Sequence, residues 1–241
     1  ERIDVVEPFA EARAALQRQY GIQALAQAGA QLERARLVVW AVKPQNLHEA
    51  AAQVVAHTPG ALHLSVAAGV RSASLAQWLG SERIVRAMPN TPALIGQGMT
   101  GLYARPAVSP AERNLVEQVI ATTGAHLWVE EEALLDAVTA LSGSGPAYVF
   151  YFLEAMTQAG VDMGLTSAQA HQLSVATFAG AAELARRSDD PPVVLRQRVT
   201  SKGGTTHAAI ESMEADGMAQ RFMRALDAAE ARAHELGEEF K

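Results

Sequence analysis

The sequence predicts an α/β domain in the first half of the chain and an all-helical domain in the second. Two observations carry this prediction. Before about residue 130, short β-branched apolar runs alternate with amphipathic stretches, which is the pattern of a parallel sheet connected by helices. After that point the strand pattern stops and only helical patterns remain. We therefore place one domain over residues 1–130 and a second over residues 131–241.

The predicted strands are short apolar runs that end in small or polar residues. They cover residues 3–8, 37–44, 62–69, 83–90, 101–104 and 126–129. Three intervening stretches begin at or next to a proline and end at a glycine, as helices do, and they cover 8–21, 44–60 and 109–124. The turns that follow the strands then lie at the carboxyl edge of the sheet, where wound α/β folds bind ligands.

The second half is predicted to contain helices over residues 146–164, 166–187 and 218–237. The first of these is apolar on every side from Ala147 to Leu153. A helix without a polar face must be covered all round, and a small helical domain cannot easily do that alone. We therefore expect a partner subunit. Glu130, Glu131 and Glu132 precede this region, and we interpret them as acids favoured by a helix dipole rather than as a metal cluster.

Composition excludes several classes of function. The net charge of −6, with no basic run, disfavours nucleic acid and anionic membrane as partners. No apolar run is long enough to span a membrane, and the first residues do not resemble a signal peptide, so we expect a cytoplasmic protein. The chain has no cysteine, and its seven histidines form no metal-binding motif. Redox chemistry would therefore need a bound organic cofactor.

Three segments of the chain stand out at predicted strand or helix ends. Lys43, in "AVKP", follows a buried-looking strand in a chain with only three lysines. Asn90, in "MPNTP", lies between two prolines that hold its backbone stiff. "SGSGPAY", residues 142–148, places two serines and two glycines before the apolar helix. Each has an ordinary structural interpretation, as a solvated lysine, a stiff turn or a helix cap.

A fourth segment, "VTSKGGTTHAAI" from Val199 to Ile210, places two glycines among four hydroxyl residues before a helical pattern. Such residues either cap the helix with a side chain or leave its backbone N–H groups free to bind an anion. The local pattern leaves both interpretations open.

The order AVKP, SVAAG, MPNTP, SGSGPAY and TSKGGTT, with these spacings, resembles the pyrroline-5-carboxylate reductases, and the resemblance covers essentially the whole chain. It implies a Rossmann-like N-terminal domain followed by an all-α dimerisation domain. It also implies reduction of Δ1-pyrroline-5-carboxylate to L-proline with NAD(P)H, the last step of proline biosynthesis. The implied assembly is a homodimer, with decamers built from five dimers.

The resemblance also assigns the site. Backbone N–H groups of Gly203, Gly204 and Thr205 would hold the substrate carboxylate, and Val199 and Ser201 of the same loop would also bind the substrate. The Thr206 hydroxyl would meet the ring nitrogen as the catalytic group. The residues implied to bind the cofactor are Ala41, Val42, Lys43, Pro44, Ala67, Ala68, Gly69, Met88, Asn90, Ser142 and Gly143. No metal is implied.

Two features depart from the family pattern. The glycine-rich dinucleotide fingerprint is absent, and if Glu7 is the acid that closes the second strand, the fingerprint would fall before residue 1. We therefore expect the first βα unit to be missing from this sequence. Lys202 stands where many members have proline, and some members also have lysine.

The cofactor and two other function classes stay open. An acid at Glu7 suits the ribose 2′-OH of NAD and repels the 2′-phosphate of NADPH. Pro8 can turn the Glu7 side chain away from the cofactor, so we favour NADPH, with NAD as the alternative. A β-hydroxyacid dehydrogenase needs a catalytic lysine in its second domain, and residues 131–201 contain none. A non-enzymatic dimerising or binding module is the other class, which becomes possible if the first βα unit is missing as expected.

Overall fold

The computed structural model describes residues 2–240. Its strands are β1 (Leu37–Trp40), β2 (Leu62–Ser65), β3 (Ile84–Met88), β4 (Gly98–Ala104) and β5 (Gly124–Trp128), which form one sheet in the order β1-β2-β3-β4-β5. Its helices are α1 (Ala10–Tyr20), α2 (Pro44–Val54), α3 (Ser72–Leu79), α4 (Pro110–Ile120), α5 (Leu134–Val138), α6 (Gly145–Asp162), α7 (Ser167–Arg187), α8 (Pro192–Arg198), α9 (Thr205–Ala215) and α10 (Met218–Glu239).

The chain forms two compact units. The first runs up to Gly143 and also takes in the chain from Glu230 onward, and the second is Ser144–Ala229. The sheet and α1 to α5 belong to the first unit, whereas α6 to α9 belong to the second, and α10 contributes residues to both. The boundary expected after residue 130 rests on the change of period in the sequence and stays a prediction.

Five of the six predicted strands are present, and the prediction of a strand over residues 3–8 is wrong. That segment makes a single bridge, between Val6 and Leu25, supported by a 2.8 Å bond from the Glu7 N–H to the Leu25 carbonyl. One bridge is too short to form a ladder. Ile3 is also 79% exposed, so the segment buries little of its apolar surface. Cross-strand pairing and burial of apolar side chains, which normally stabilise a strand, are therefore both small here.

The sheet is mixed rather than parallel throughout. β1, β2 and β3 are parallel neighbours, and β4 is parallel to β5, but β4 is antiparallel to β3. The reason lies in the connection between β3 and β4, which contains only the short 3₁₀ turn Thr91–Ile95. A parallel pair needs a longer crossover, usually through a helix, whereas a short connection suits an antiparallel pair.

Helix prediction succeeded for the long amphipathic stretches and missed short helices. The predicted helices over 8–21, 44–60 and 109–124 correspond to α1, α2 and α4, and those in the second half correspond to α6, α7 and α10. α9 begins at Thr205, inside the segment where a helix start was expected. The sequence did not reveal α3, α5 and α8, which have eight, five and seven residues. Helices of this length contain too few turns for a clear period.

Both faces of the sheet are buried. On one face Leu62, Leu64, Val85 and Leu102 pack with Val116 of α4. On the other, Trp40 and Ile84 pack with Leu47 of α2 and Leu75 of α3. A sheet covered on two faces is typical of α/β folds, and it explains the continuous burial of β2.

A tryptophan and a histidine make a hydrogen bond inside this core. The Trp40 indole N–H donates to Nδ1 of His63 over 3.2 Å, and both residues are buried. Burial, and to a lesser extent the charge of the nearby Arg83 guanidinium, together lower the pKa of His63 to about 4. Since Nδ1 accepts the indole proton, protonation of His63 would also break this bond.

We predict that His63 makes the fold sensitive to mild acid. Its pKa is lower in the folded chain than the ordinary value of 6.5, so the unfolded chain binds more protons between these values. Its contribution to stability is therefore complete above pH 6.5 and is lost as the pH falls towards 4. Lowering the pH from 7 to 5 should cost about 2 kcal/mol through this group, measured by urea unfolding.

The control for this prediction is His63→Gln, which keeps an acceptor for Trp40 but does not titrate. Its free energy of unfolding should fall by about 2 kcal/mol less than that of the unsubstituted protein between the two pH values. Equal pH dependence in the two proteins would contradict the role assigned to His63.

Candidate active site

The predicted cofactor residues lie at one edge of the sheet because three strands run parallel. Trp40 of β1 pairs with Ser65 of β2, and Ser65 pairs with Arg86 of β3. The segments that follow these strands therefore leave the sheet side by side. These segments contain the predicted residues Ala41, Val42, Lys43 and Pro44 after β1, Ala67, Ala68 and Gly69 after β2, and Met88 and Asn90 at the end of β3.

Lys43 has a free ammonium group in this arrangement. It occupies the N-cap position of α2, where it is exposed, and its side chain makes no hydrogen bond or ion pair within residues 2–240. A free cation beside a helix N-terminus adds to the positive potential of the helix dipole. This corner of the sheet edge therefore suits an anionic ligand group.

Asn90 links the end of β3 to the loop before α6. Its side-chain amide donates to the Ser142 carbonyl over 3.3 Å and to the Ser142 hydroxyl over 3.2 Å. Its carbonyl oxygen accepts the Met99 N–H over 2.9 Å. The amide is therefore held in one orientation, as the flanking prolines suggested.

Gly143 lies equally close to β3. A side chain at Gly143 would meet the terminal methyl group of Met88 at 2.5 Å, so the Met88 side chain would have to move if this residue were larger. Ser142 and Gly143 lie in a π-helical turn, Thr139–Gly143, that follows α5 directly. The structure thus brings Met88 and Asn90 together with Ser142 and Gly143, although more than fifty residues separate the two pairs in the sequence.

The loop before α9 is open and its helix is not capped by a side chain. Gly203 has φ +74°, a left-handed conformation that favours glycine, and a Cβ there would meet no atom within 4 Å. Gly204 is the N-cap, and no side chain bonds to the helix start. This excludes the interpretation in which a hydroxyl residue of the loop caps the helix.

The backbone N–H groups at this helix start are largely free. Within the described part of the chain, no acceptor contacts the N–H groups of Gly203, Thr205 or Thr206. Gly204 differs from the prediction, because its N–H donates to the Ser201 carbonyl over 3.0 Å. Three unpaired N–H groups at the positive end of a helix form an anion site.

The remaining predicted residues of this loop are accessible. Val199 is 65% exposed, and Ser201, Thr205 and Thr206 are also exposed. The loop belongs to the second unit, whereas the sheet edge, Ser142 and Gly143 belong to the first. The roles assigned to all of these residues stay predictions.

Glu7 does not present its carboxylate freely. One of its carboxylate oxygens accepts the Phe9 N–H over 2.8 Å. Beside it, the Arg13 guanidinium donates to the backbone carbonyls of Glu7 and Pro8 over 2.8 and 2.7 Å. An arginine of α1 therefore contacts the turn after the first extended segment, and the sequence had given no sign of this contact.

Glu132 has a structural role, although not in its own helix. Its carboxylate accepts the Ser72 N–H and hydroxyl, each over 2.6 Å, and pairs with Arg86 over 2.7 Å. Burial alone would raise the pKa of Glu132, but these bonds and the Arg86 charge lower it below the ordinary value. Glu132 thus stabilises the start of α3. The prediction of a helix at its own position is wrong, because α5 begins only at Leu134.

Comparison with known proteins identifies the family. A family model described as pyrroline-5-carboxylate reductase dimerisation matches residues 132–236. The chain is 44% identical to a pyrroline-5-carboxylate reductase of Pseudomonas aeruginosa, over 99% of this chain and 88% of that protein. The chain belongs to the pyrroline-5-carboxylate reductase family.

Solved structures of pyrroline-5-carboxylate reductases share the fold. The protein from Coxiella burnetii is 37% identical, with a TM-score of 0.90 over 98% of this chain and 88% of that one. The protein from Plasmodium falciparum, solved with NADP bound, is 29% identical, with a TM-score of 0.81 over 91% of this chain and 87% of that one. These similarities confirm a Rossmann-like N-terminal part and a helical dimerisation domain, and they indicate a nicotinamide cofactor.

Membership of the pyrroline-5-carboxylate reductase family makes this chain an oxidoreductase with an oligomerisation domain. Among residues 2–240, no helix is long and apolar enough to cross a membrane.

Proposed function

We propose that the protein reduces Δ1-pyrroline-5-carboxylate to L-proline with NADPH. The observation that carries this proposal is the uncapped start of α9, with free N–H groups at Gly203, Thr205 and Thr206 beside exposed hydroxyls. A cyclic imine acid needs this combination, since its carboxylate requires an anion site and its ring nitrogen requires a hydrogen-bond donor. Family membership supports the same reaction.

The backbone of the α9 loop binds the substrate carboxylate. Gly203 keeps side-chain atoms away, so the carboxylate approaches the N–H groups of Gly203 and Thr205 directly. Gly204 contributes only its conformation as the N-cap, because its N–H donates to the Ser201 carbonyl and its own carbonyl accepts the Ala208 N–H. Fixed dipoles of this kind need no reorganisation during the reaction.

The Thr206 hydroxyl orients the ring nitrogen. As the second residue of α9, it lies next to the carboxylate site and is exposed to a ligand. A threonine hydroxyl is a weak acid at neutral pH, so we assign it orientation and proton relay, with solvent as the source of the proton.

The sheet edge of the first unit is the proposed site of the dinucleotide. When bound, NADPH supplies the hydride. Lys43 and the start of α2 offer positive charge to its anionic part, while Met88, Asn90, Ser142 and Gly143 form a rigid wall whose members contact one another. Asn90 cannot rotate without breaking its bonds to Ser142 and Met99.

An assay of NADPH oxidation with pyrroline-5-carboxylate tests the function, using the gene product together with any residues that precede Glu1. Loss of NADPH absorbance with formation of proline is the expected result. If NADPH binds without any turnover of this substrate, the proposed reaction is wrong and the binding module is the better interpretation.

We predict that Thr206→Ala lowers kcat more than it raises KM for pyrroline-5-carboxylate. The hydroxyl meets the nitrogen most strongly when charge develops, and only such interactions change the chemical step. The loss of one hydrogen bond of this kind costs about two- to hundredfold in rate. Steady-state kinetics measures both constants.

Thr205→Ala is the matched control, because it removes a neighbouring hydroxyl and keeps the backbone N–H that binds the carboxylate. Its effect on kcat should be smaller. Equal effects of the two substitutions, or a change in KM alone for Thr206→Ala, would show that the proton reaches the nitrogen by another route.

We predict a higher kcat/KM with NADPH than with NADH. The Glu7 carboxylate already accepts a hydrogen bond from the Phe9 N–H. The Arg13 guanidinium contacts the same turn, and wound α/β folds use an arginine near this position to bind the 2′-phosphate of NADPH. Arg13→Ala should reduce the preference for NADPH, whereas Arg18→Ala, farther along α1, should leave it unchanged. A large preference for NADH in the unsubstituted protein would mean that Glu7 binds the ribose.

We predict a homodimer built mainly by residues 131–241, with further assembly into a decamer. In the second unit, Phe152 of α6 packs edge-on against Phe222, but Phe150 and Tyr151 are 58% and 70% exposed. Apolar side chains of this size need a covering surface. Light scattering at micromolar concentration should give at least twice the mass of one chain, and a monomer would contradict the prediction.

A further inference from the structure

The end of α10 presses against the turn that follows β2. Gly69 has φ +77°, and a Cβ there would lie 3.1 Å from Cβ of Leu236 and 3.3 Å from its carbonyl oxygen. A side chain at Gly237 would overlap the guanidinium of Arg71. Gly69 is favoured by its left-handed conformation and its close contact with Leu236, whereas Gly237 leaves room for the Arg71 guanidinium, which lies between α10 and Asp136 of α5.

Arg71 makes a two-pronged ion pair with Asp136 of α5. Its Nη1 donates to Oδ1 over 3.1 Å and its Nη2 donates to Oδ2 over 2.7 Å. Both side chains are largely buried, with 16% and 10% exposure. His234 of α10 lies 3.5 Å from both the Arg71 Nη2 and the Asp136 Oδ2. Paired bonds of this geometry fix orientation as well as distance.

Arg71 and Asp136 each lie close in sequence to a segment of the proposed dinucleotide site. Arg71 is two residues after Gly69, in the segment that leaves β2. Asp136 lies on α5, which continues into the π-helical turn that carries Ser142 and Gly143. Thr139, at the start of that turn, donates its hydroxyl to the Leu135 carbonyl over 2.7 Å, which keeps the turn in register with α5.

We propose that Arg71 is a positioning residue that sets the separation between the segment Ala67–Gly69 and the turn Thr139–Gly143, and so the affinity for the dinucleotide. This inference rests on the proposed function, which places the dinucleotide at the sheet edge that these two segments flank. Arg71 itself is covered by α10 and Asp136, so it acts through the backbone of the two segments. Asp136 is its obligatory partner.

The test is the affinity for NADPH alone, measured by calorimetry on the full gene product, together with KM for each substrate. Arg71→Ala should raise the Kd and KM for NADPH by about three- to thirtyfold, the range of coupling through packed networks. KM for pyrroline-5-carboxylate should change less than twofold, because its site lies on α9. Arg71→Lys should restore part of the affinity, since lysine keeps the charge but lacks the planar fork.

Two further variants separate positioning from loss of stability. Arg83→Ala removes another arginine of the first unit that pairs with a carboxylate, Glu112, and also bonds the Gly60 carbonyl over 2.8 Å. It should leave the Kd for NADPH unchanged. The double variant Arg71→Ala/Asp136→Ala leaves no unpaired charge, so it should regain stability to urea relative to Arg71→Ala while its Kd stays raised.

The inference is overturned if Arg71→Ala binds NADPH within twofold of the unsubstituted protein, if Arg83→Ala weakens binding equally, or if the double variant restores the affinity. It is also overturned if the unsubstituted protein does not bind NADPH. Failure of the proposed reaction gives a different result, namely absence of turnover with pyrroline-5-carboxylate while the Kd still separates Arg71→Ala from Arg83→Ala.

Discussion

The parallel alignment of β1, β2 and β3 is the constraint on which the first unit depends. Parallel strands all finish at the same edge, so residues that follow Trp40, Ser65 and Met88 leave the sheet together. The buried faces of these strands hold this alignment, since a shift of one residue would turn Leu62 and Leu64 away from their core. The packing of the hydrophobic core therefore also holds this edge of the sheet in place.

Charged side chains also hold segments together near this edge, in addition to the backbone bonds of the sheet. Glu132 neutralises Arg86 on β3 and at the same time satisfies the first N–H of α3. A largely buried carboxylate is tolerable here because each of its oxygens accepts a hydrogen bond, one from an ion-pair partner as well. The segment before α5 is thus tied to the sheet by electrostatics, although it contributes no strand.

Local pattern was sufficient for the long elements but not for the chemistry of the α9 loop. The glycines and hydroxyls at residues 200–206 predicted a helix start that is either capped by a side chain or free to bind an anion, and the structure shows that start without a side-chain cap. What the sequence did not reveal depends on partners that are distant in the chain. The bonds between Ser72 and Glu132, and between Arg71 and Asp136, join residues at least sixty positions apart, and no periodicity reports such pairs. The strand β4 was predicted, but its antiparallel direction was not, because strand direction follows from the length of a connection rather than from strand composition.

In the π-helical turn Thr139–Gly143, the number of residues determines where the side chains that follow are placed. A π-turn contains one residue more than an α-helical turn, and each residue of a helix rotates the following side chain by about 100°. Removing a single residue here would therefore not merely shorten the loop. It would swing the Ser142 hydroxyl about a quarter of a turn around the axis and away from the Asn90 amide. Insertions and deletions are usually tolerated outside regular structure, but in this turn the residue count itself determines which atoms meet.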